Sequence, residues 1–305
     1  MLVFTQDAPY EPAWVPDGAP PKLPQDRSQA KTVMNGPRLR RWILWALGAF
    51  GIVVLLNTIA FVVVLARDPL PGGGAPHAGP GLRNLPLVER TPARTSAAAP
   101  LVIYYTGDNG WQDGDLTFTE GLNRFGAPVV VVDSLHYFAR ERTADEAAAD
   151  LARVIDRYSA VWGQRKIVLV GYSYGANVAP VLARRLPDRL RARLQLIAMI
   201  APVGTAELVI RPWSLMDIVD DPFAFSDRSE LAKLGGLKAV CIWGRDDHRA
   251  ACPHLPPALA TPAPVPGGHR FLDQRDAVAR IIAEAAGMQV QPATQPGPSG
   301  GSVSP

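Results

Sequence analysis

The feature that most restricts this chain is a glycine-flanked serine at the junction of two different periodicities. Lys166-Ile167-Val168-Leu169-Val170 is an apolar, β-branched run, and Gly171-Tyr172-Ser173-Tyr174-Gly175 follows it without a spacer. From Ala176 to Leu186 apolar residues then recur at helical intervals. A strand that becomes a helix within so few residues needs a tight turn, and the glycines let neighbouring backbone approach where a side chain would not fit. The turn displays the serine at a helix N-terminus, where the positive end of the helix dipole favours a developing negative charge. In this strand–turn–helix setting the G-x-S-x-G spacing marks Ser173 as a candidate nucleophile.

The surrounding sequence repeats the same grammar. Apolar runs at Leu101–Tyr105, Pro128–Asp133, Leu194–Ile200, Lys238–Trp243 and Thr261–Val265 read as strands. Asp145–Tyr158 and Gln274–Ala286 carry apolar residues at helical spacing. Near-continuous apolar strands belong to a sheet covered on both faces, and the alternation implies an α/β domain over residues 100–287. Its sheet is expected to be mostly parallel, with helices on both faces and the ligand site beyond the carboxyl ends of the strands. Glu207–Leu234 breaks the rhythm and reads as an insertion over those ends.

A nucleophilic serine needs a base and an acid that orients it. His269 lies in Pro266-Gly267-Gly268-His269, on the loop between the last strand and the last helix, where a hydrolase of this type carries its base. His248 is the runner-up. The acid falls between serine and histidine in chain order, in Gly244-Arg245-Asp246-Asp247. Asp247 is the first choice and Asp246 the alternative. An oxyanion would be held by the N–H of Tyr174 and by a second N–H from the loop Thr106-Gly107-Asp108-Asn109-Gly110-Trp111, from Gly107 or Asp108.

Trp42–Ala66 has 25 residues and no charge. As a helix it would extend about 37 Å, enough for a tilted bilayer crossing. Arg38, Arg40 and Arg41 precede it, while Arg67 followed by Asp68 is all that abuts its far end. That asymmetry places the N-terminus in the cytoplasm and the α/β domain outside it, on the periplasmic side of a bacterial inner membrane. A cleaved signal ending at Ala66 is the competing reading, but the run exceeds the 7–15 apolar residues of a signal core. Residues 1–41 and 288–305 are polar, Pro- and Gly-rich, and read as disordered. Residues 67–99 read as a flexible linker.

The net charge is +3. The excess sits in residues 1–41 and 67–99, which argues against a nucleic-acid surface, and no nucleic-acid motif is present. Two cysteines, Cys241 and Cys252, exclude a cysteine-clustered zinc site. The motifs call for no metal and no cofactor.

Several segments carry a resemblance. Thr106-Gly107-Asp108-Asn109-Gly110-Trp111, Val132-Asp133-Ser134-Leu135-His136-Tyr137-Phe138 and Gly171-Tyr172-Ser173-Tyr174-Gly175-Ala176-Asn177 resemble motifs of the bacterial VirJ/AcvB virulence-protein family. Cys241-Ile242-Trp243-Gly244, Cys252-Pro253 and Pro266-Gly267-Gly268-His269 have counterparts there too. The resemblance spans about Leu101 to Ala286. It implies an α/β-hydrolase outside the cytoplasm that cleaves the ester joining lysine or alanine to phosphatidylglycerol, so that the partner is a phospholipid. A binding protein on a hydrolase scaffold, or a general esterase or thioesterase, are the alternatives. Asn109, Tyr174 and Asn177 depart from the family's glycine, phenylalanine and aspartate. The loss of a carboxylate at Asn177 bears on recognition of a cationic amino acid. Asp108 and Asp133 are candidates to pair with a substrate ammonium. Outside the cytoplasm Cys241 and Cys252 are expected to form a disulfide that clamps the acid's loop.

Overall fold

The computed structural model describes residues 36–66, 74–212 and 224–289. Its strands are β1 (Leu87–Arg90), β2 (Leu101–Tyr105), β3 (Val129–Val132), β4 (Ile167–Tyr172), β5 (Leu194–Ile200), β6 (Thr205–Ala206), β7 (Phe225–Ser226), β8 (Ala239–Gly244) and β9 (Thr261–Val265). Its helices are α1 (Gly36–Leu65), α2 (Asp113–Asn123), α3 (Ser134–Tyr137), α4 (Ala144–Trp162), α5 (Tyr174–Arg185), α6 (Asp188–Arg191), α7 (Asp227–Ala232) and α8 (Arg275–Ala285). The chain forms two compact units, Met1–Ile52 and Val53–Pro305, and α1 runs through the division.

Seven strands form one sheet in the order β1-β3-β2-β4-β5-β8-β9. All neighbours are parallel except β1, which pairs antiparallel with β3 at the edge. The order reverses between β2 and β4, so the crevice for a ligand opens at the carboxyl ends of the central strands. This is the α/β-hydrolase arrangement. Strand alternation divides the core between the faces. Leu101, Ile103 and Tyr105 pack with Leu151, Ile155 and Tyr158 of α4, while Val102 and Tyr104 pack with Phe118 and Leu122 of α2 and Val278 and Ile282 of α8. Helix boundaries follow local chemistry. Thr143 and Glu146 form a capping box at the start of α4, and Gly163 ends it in a left-handed conformation, φ 72°.

Two expectations change. The linker assigned to 67–99 does not hold for residues 74–99, which belong to the folded domain. Leu82, Leu85, Leu87 and Val88 are buried, and β1 pairs Leu87 with Val132 and Arg90 with Val129. Glu89 fixes the segment by accepting hydrogen bonds from the Tyr158 hydroxyl (2.7 Å) and the His77 backbone N–H (2.8 Å). The physical gain is a covered edge, since β3 would otherwise expose a row of unpaired backbone groups. The apolar helix also starts earlier than Trp42, at Gly36, and ends at Leu65. Its stretch Arg40–Val63 is long and apolar enough to cross a membrane. Residues 1–35, 67–73 and 290–305, to which tails and part of the linker were assigned, lie outside the described residues, as does 213–223 of the Glu207–Leu234 insertion. The described part of that insertion includes β7, which pairs with β6, and α7, which packs on α5.

Candidate active site

Ser173 occupies the turn between β4 and α5 with φ 51° and ψ −113°, a backbone conformation that costs a non-glycine residue energy. The surroundings over-determine it. The Ser173 N–H donates to Ile200 O (2.8 Å), and the Gly175 N–H donates to Thr106 O (3.2 Å). A Cβ on Gly171 would collide with the Gly175 carbonyl, and one on Gly175 with the carbonyls of Tyr105 and Thr106. Both glycines of the motif are therefore set by close backbone approach.

The structure brings His269 and Asp247 to this serine. His269 lies on the loop after β9 and Asp247 on the turn after β8. His269 Nδ1 is 2.7 Å from Asp247 Oδ2, and His269 Nε2 is 3.0 Å from Ser173 Oγ. A carboxylate can only accept, so Nδ1 carries the ring proton and Nε2 is left to accept the Ser173 O–H. Asp247 is 9% exposed, and its Oδ1 also accepts the Arg249 N–H (3.2 Å). The contact to His269 is made by Asp247 and not by Asp246, the alternative acid, whose side chain is exposed and whose N–H donates to Gly267 O (3.0 Å), tying the acid's loop to the histidine's. His248 is exposed one residue beyond Asp247. A bond between Cys241 in β8 and Cys252 closes the loop that holds Asp247.

The loop after β2 also borders Ser173. A Cβ added to Gly107 would stand 3.7 Å from Ser173 Cβ and 3.4 Å from the Tyr172 ring, so this backbone faces the nucleophile. Tyr174 opens α5, where an N–H has no acceptor within the helix. Asp108 is partly exposed at the mouth and accepts from Asn109 Nδ2 (3.1 Å).

Two side chains have other roles than those expected of them. Asp133 is 1% exposed, and its carboxylate is committed to the protein: Oδ1 accepts the His136 N–H (3.1 Å) and Oδ2 the Trp111 N–H (3.1 Å). It caps α3 and fixes the loop after β2, so it is not available to a substrate ammonium. Asn177 is buried, and its Oδ1 accepts the N–H groups of Val203 (2.9 Å) and Gly204 (3.3 Å). Asn177 thereby pins the loop after β5, a role that an aspartate could also fill.

Tyr172 was not singled out from sequence. Its hydroxyl donates to His269 O (3.1 Å), its ring lies 5.6 Å from the imidazole, and it packs against Phe118 and Phe271. Burial pushes its hydroxyl up to about 12. Its position between the strand end and the serine was the only available signal. Below the loop after β2, Asp115 accepts a short hydrogen bond from Tyr104 and a 2.8 Å bond from the Gln112 N–H. Burial raises the Asp115 carboxyl to about 7 despite both bonds. Among the described residues no group of His, Cys, Asp or Glu converges as a metal site.

A seven-stranded sheet with a strained serine at its central strand end, backed by histidine and aspartate from the next loops, defines a protein of the α/β-hydrolase class. Residues 99–289 match the VirJ family, described as bacterial virulence protein, and the chain belongs to that family. No curated protein matches it. Solved structures similar to it include Est1E of Butyrivibrio proteoclasticus, 14% identical over 65% of this chain and 91% of that one, TM-score 0.49. The enol-lactonase of Burkholderia xenovorans is 15% identical over 65% and 95%, TM-score 0.47. The proline iminopeptidase of Mycobacterium smegmatis is 12% identical over 66% and 94%, TM-score 0.43.

Proposed function

We propose that the chain is a membrane-anchored serine hydrolase, acting outside the cytoplasm, that cleaves the aminoacyl ester of aminoacyl-phosphatidylglycerol. The observation that carries the reading is the relay Asp247–His269–Ser173, with contacts of 2.7 and 3.0 Å ending on a serine held at φ 51°. His269 Nε2 takes the Ser173 proton as Oγ attacks the ester carbonyl, and Asp247 stabilises the imidazolium. The N–H groups of Tyr174 and of Gly107 or Asp108 receive the oxyanion. Collapse expels the glycerol oxygen of the lipid, which takes the proton from His269. Water, deprotonated by the same imidazole, then releases the amino acid from Ser173. Family membership and the apolar helix α1 support a substrate that resides in the bilayer. Asp108, at the mouth and beside both tyrosines of the motif, is the residue proposed to meet the substrate ammonium.

The test is incubation of the purified full chain with lysyl- and alanyl-phosphatidylglycerol, with free amino acid read by mass spectrometry. Release from either lipid that disappears in Ser173→Ala is expected. No release above that variant from either lipid would remove the proposed substrate. An Asp108→Asn chain that keeps its preference for aminoacyl over plain acyl esters would remove Asp108 from recognition.

A further inference from the structure

Beyond α1, only two large apolar side chains among the described residues remain exposed: Val203, 44%, and Leu272, 69%. Isolated exposed apolar residues are ordinary on soluble domains. Both stand on loops that are tied to Ser173, one through Ile200 O and the other through His269. Val203 lies on the loop after β5, three residues past Ile200, whose carbonyl accepts the Ser173 N–H. Its own N–H is held by Asn177, and neighbouring Pro202 O accepts the Ala251 N–H from the disulfide-closed loop. Leu272 lies three residues past His269. Phe271, at φ 51°, turns its ring into the core beside Phe118 and Tyr172, and the next side chain is thereby left outside. Val203 thus stands on backbone held by hydrogen bonds from the site's own loops, and Leu272 follows a buried anchor, Phe271. The exposed ionic residues of these loops and of the acid's loop are Arg245, Asp246, His248, Arg249, Arg270 and Asp273, a mixed set with a cationic excess.

We propose that Val203 and Leu272 are a membrane-contact rim that enters the interfacial layer of the bilayer and brings the mouth of the site onto the lipid surface. Only eight peptide steps separate Ala66, at the end of the apolar helix, from Gly74, where the domain begins. That stretch reaches at most about 28 Å, so a bilayer spanned by α1 is always within one domain's breadth. Two apolar side chains beside arginines suit an anionic interface, where apolar contact and cation attraction act together. The contact does not depend on what ester, if any, is cleaved.

The test uses the full chain, whose two cysteines are bonded to each other and leave an introduced thiol as the one site of labelling. Val203→Cys, Leu272→Cys and, as control, Ala258→Cys each receive an environment-sensitive fluorophore, in vesicles of phosphatidylglycerol and phosphatidylcholine. Ala258 is exposed on the turn before β9, at the end of the sheet away from Ser173. Spin-labelled lipid should quench positions 203 and 272 roughly threefold more than 258, as for an apolar face about 5–10 Å into the interface. Equal quenching at all three positions overturns the proposal. A blue-shifted but unquenched label at 203 and 272 also overturns it, because protein and not lipid then covers the rim. Neither outcome depends on turnover, so failure here is distinct from failure of the hydrolase reading.

Discussion

The loops after β8 and β3 each place an aspartate at the carboxyl end of a strand, bury it, and surround it with backbone donors. Asp247 keeps one carboxylate oxygen for an imidazole, 2.7 Å from His269 Nδ1. Asp133 gives both oxygens to backbone N–H groups, of His136 and Trp111, and its Oδ1 also lies 3.1 Å from His136 Nδ1. Both acids therefore stand beside an imidazole, but the His269 ring continues to Ser173 Oγ at 3.0 Å, whereas neither ring nitrogen of His136 makes a hydrogen bond. Neither position at a strand end nor a neighbouring histidine separates the two acids; what lies on the far side of the imidazole does.

The sharpest way to break this comparison is to neutralise each acid in turn. Asp247→Asn should lower kcat for any ester substrate by roughly 10³-fold or more, because the amide favours the wrong imidazole tautomer. Asp246→Asn, on the exposed neighbour, should change it by less than about threefold. Equal losses in the two variants, measured on the same ester, would undo the assignment of the acid.

Asp227 is the limiting case, a buried acid with no side-chain partner. It is 0% exposed, neither oxygen makes a well-formed hydrogen bond, and the Gly204 N–H, shared with Asn177, offsets its burial only in part. Burial raises its carboxyl from 3.8 to about 8. The folded chain thus holds a proton that the unfolded chain releases near pH 4. The stability this confers is fully present below pH 4 and is lost as pH rises through 8. Asp227→Asn should then be more stable than the parent at pH 9, by on the order of 3 kcal/mol, with the advantage vanishing toward pH 4. Denaturant melts at the two pH values measure it. An advantage that fails to grow with pH would show that this acid is not held neutral by burial.

Opening the Cys241–Cys252 bond tests how firmly the loop of Asp247 must be held. Reduction, or paired substitution to alanine, should cost about 3 kcal/mol of stability. It should also lower kcat more than it changes KM, because the residues between the cysteines include the acid. A loss of stability with unchanged kcat would mean that the clamp serves the fold alone.

The smallest effect belongs to Asp133. Asp133→Asn retains one acceptor oxygen and should cost about 2 kcal/mol in thermal or denaturant melts, the scale of one charge-assisted bond left unmade. Activity should fall about tenfold or less through the loop after β2, with no change in preference for aminoacyl over plain esters. A selective loss of aminoacyl ester cleavage would return Asp133 to substrate recognition.

The same distinction explains what could be read from the sequence. The parallel strands were legible because their β-branched runs are buried on both faces and need no partner to be recognised. Ser173 and His269 were legible because a strand-to-helix turn and a glycine-rich loop restrict where such residues can sit. Asp247 ranked above Asp246 by its distance from the turn glycine, but Asp246 stayed open because spacing does not encode the direction of two adjacent side chains. Asp133 and Asn177 read as possible recognition groups because sequence reveals a polar residue near a strand end but not the backbone N–H that claims it. The edge strand β1 was hidden for another reason. Leu82, Leu85, Leu87 and Val88 are few, and they are scattered among prolines and glycines whose composition resembles a linker. Their order comes from docking onto β3 and α4, a tertiary effect with no local periodicity.

The central claim is that Ser173 is a nucleophile activated by His269. A fluorophosphonate probe tests it without knowledge of the substrate, because it bonds to an activated serine and stops there. Peptide mass spectrometry of the labelled full chain should find the adduct on Ser173, abolished in Ser173→Ala and slowed by about 10³-fold or more in His269→Ala. Absence of labelling in the folded parent chain, or equal labelling in the His269→Ala variant, would contradict the account.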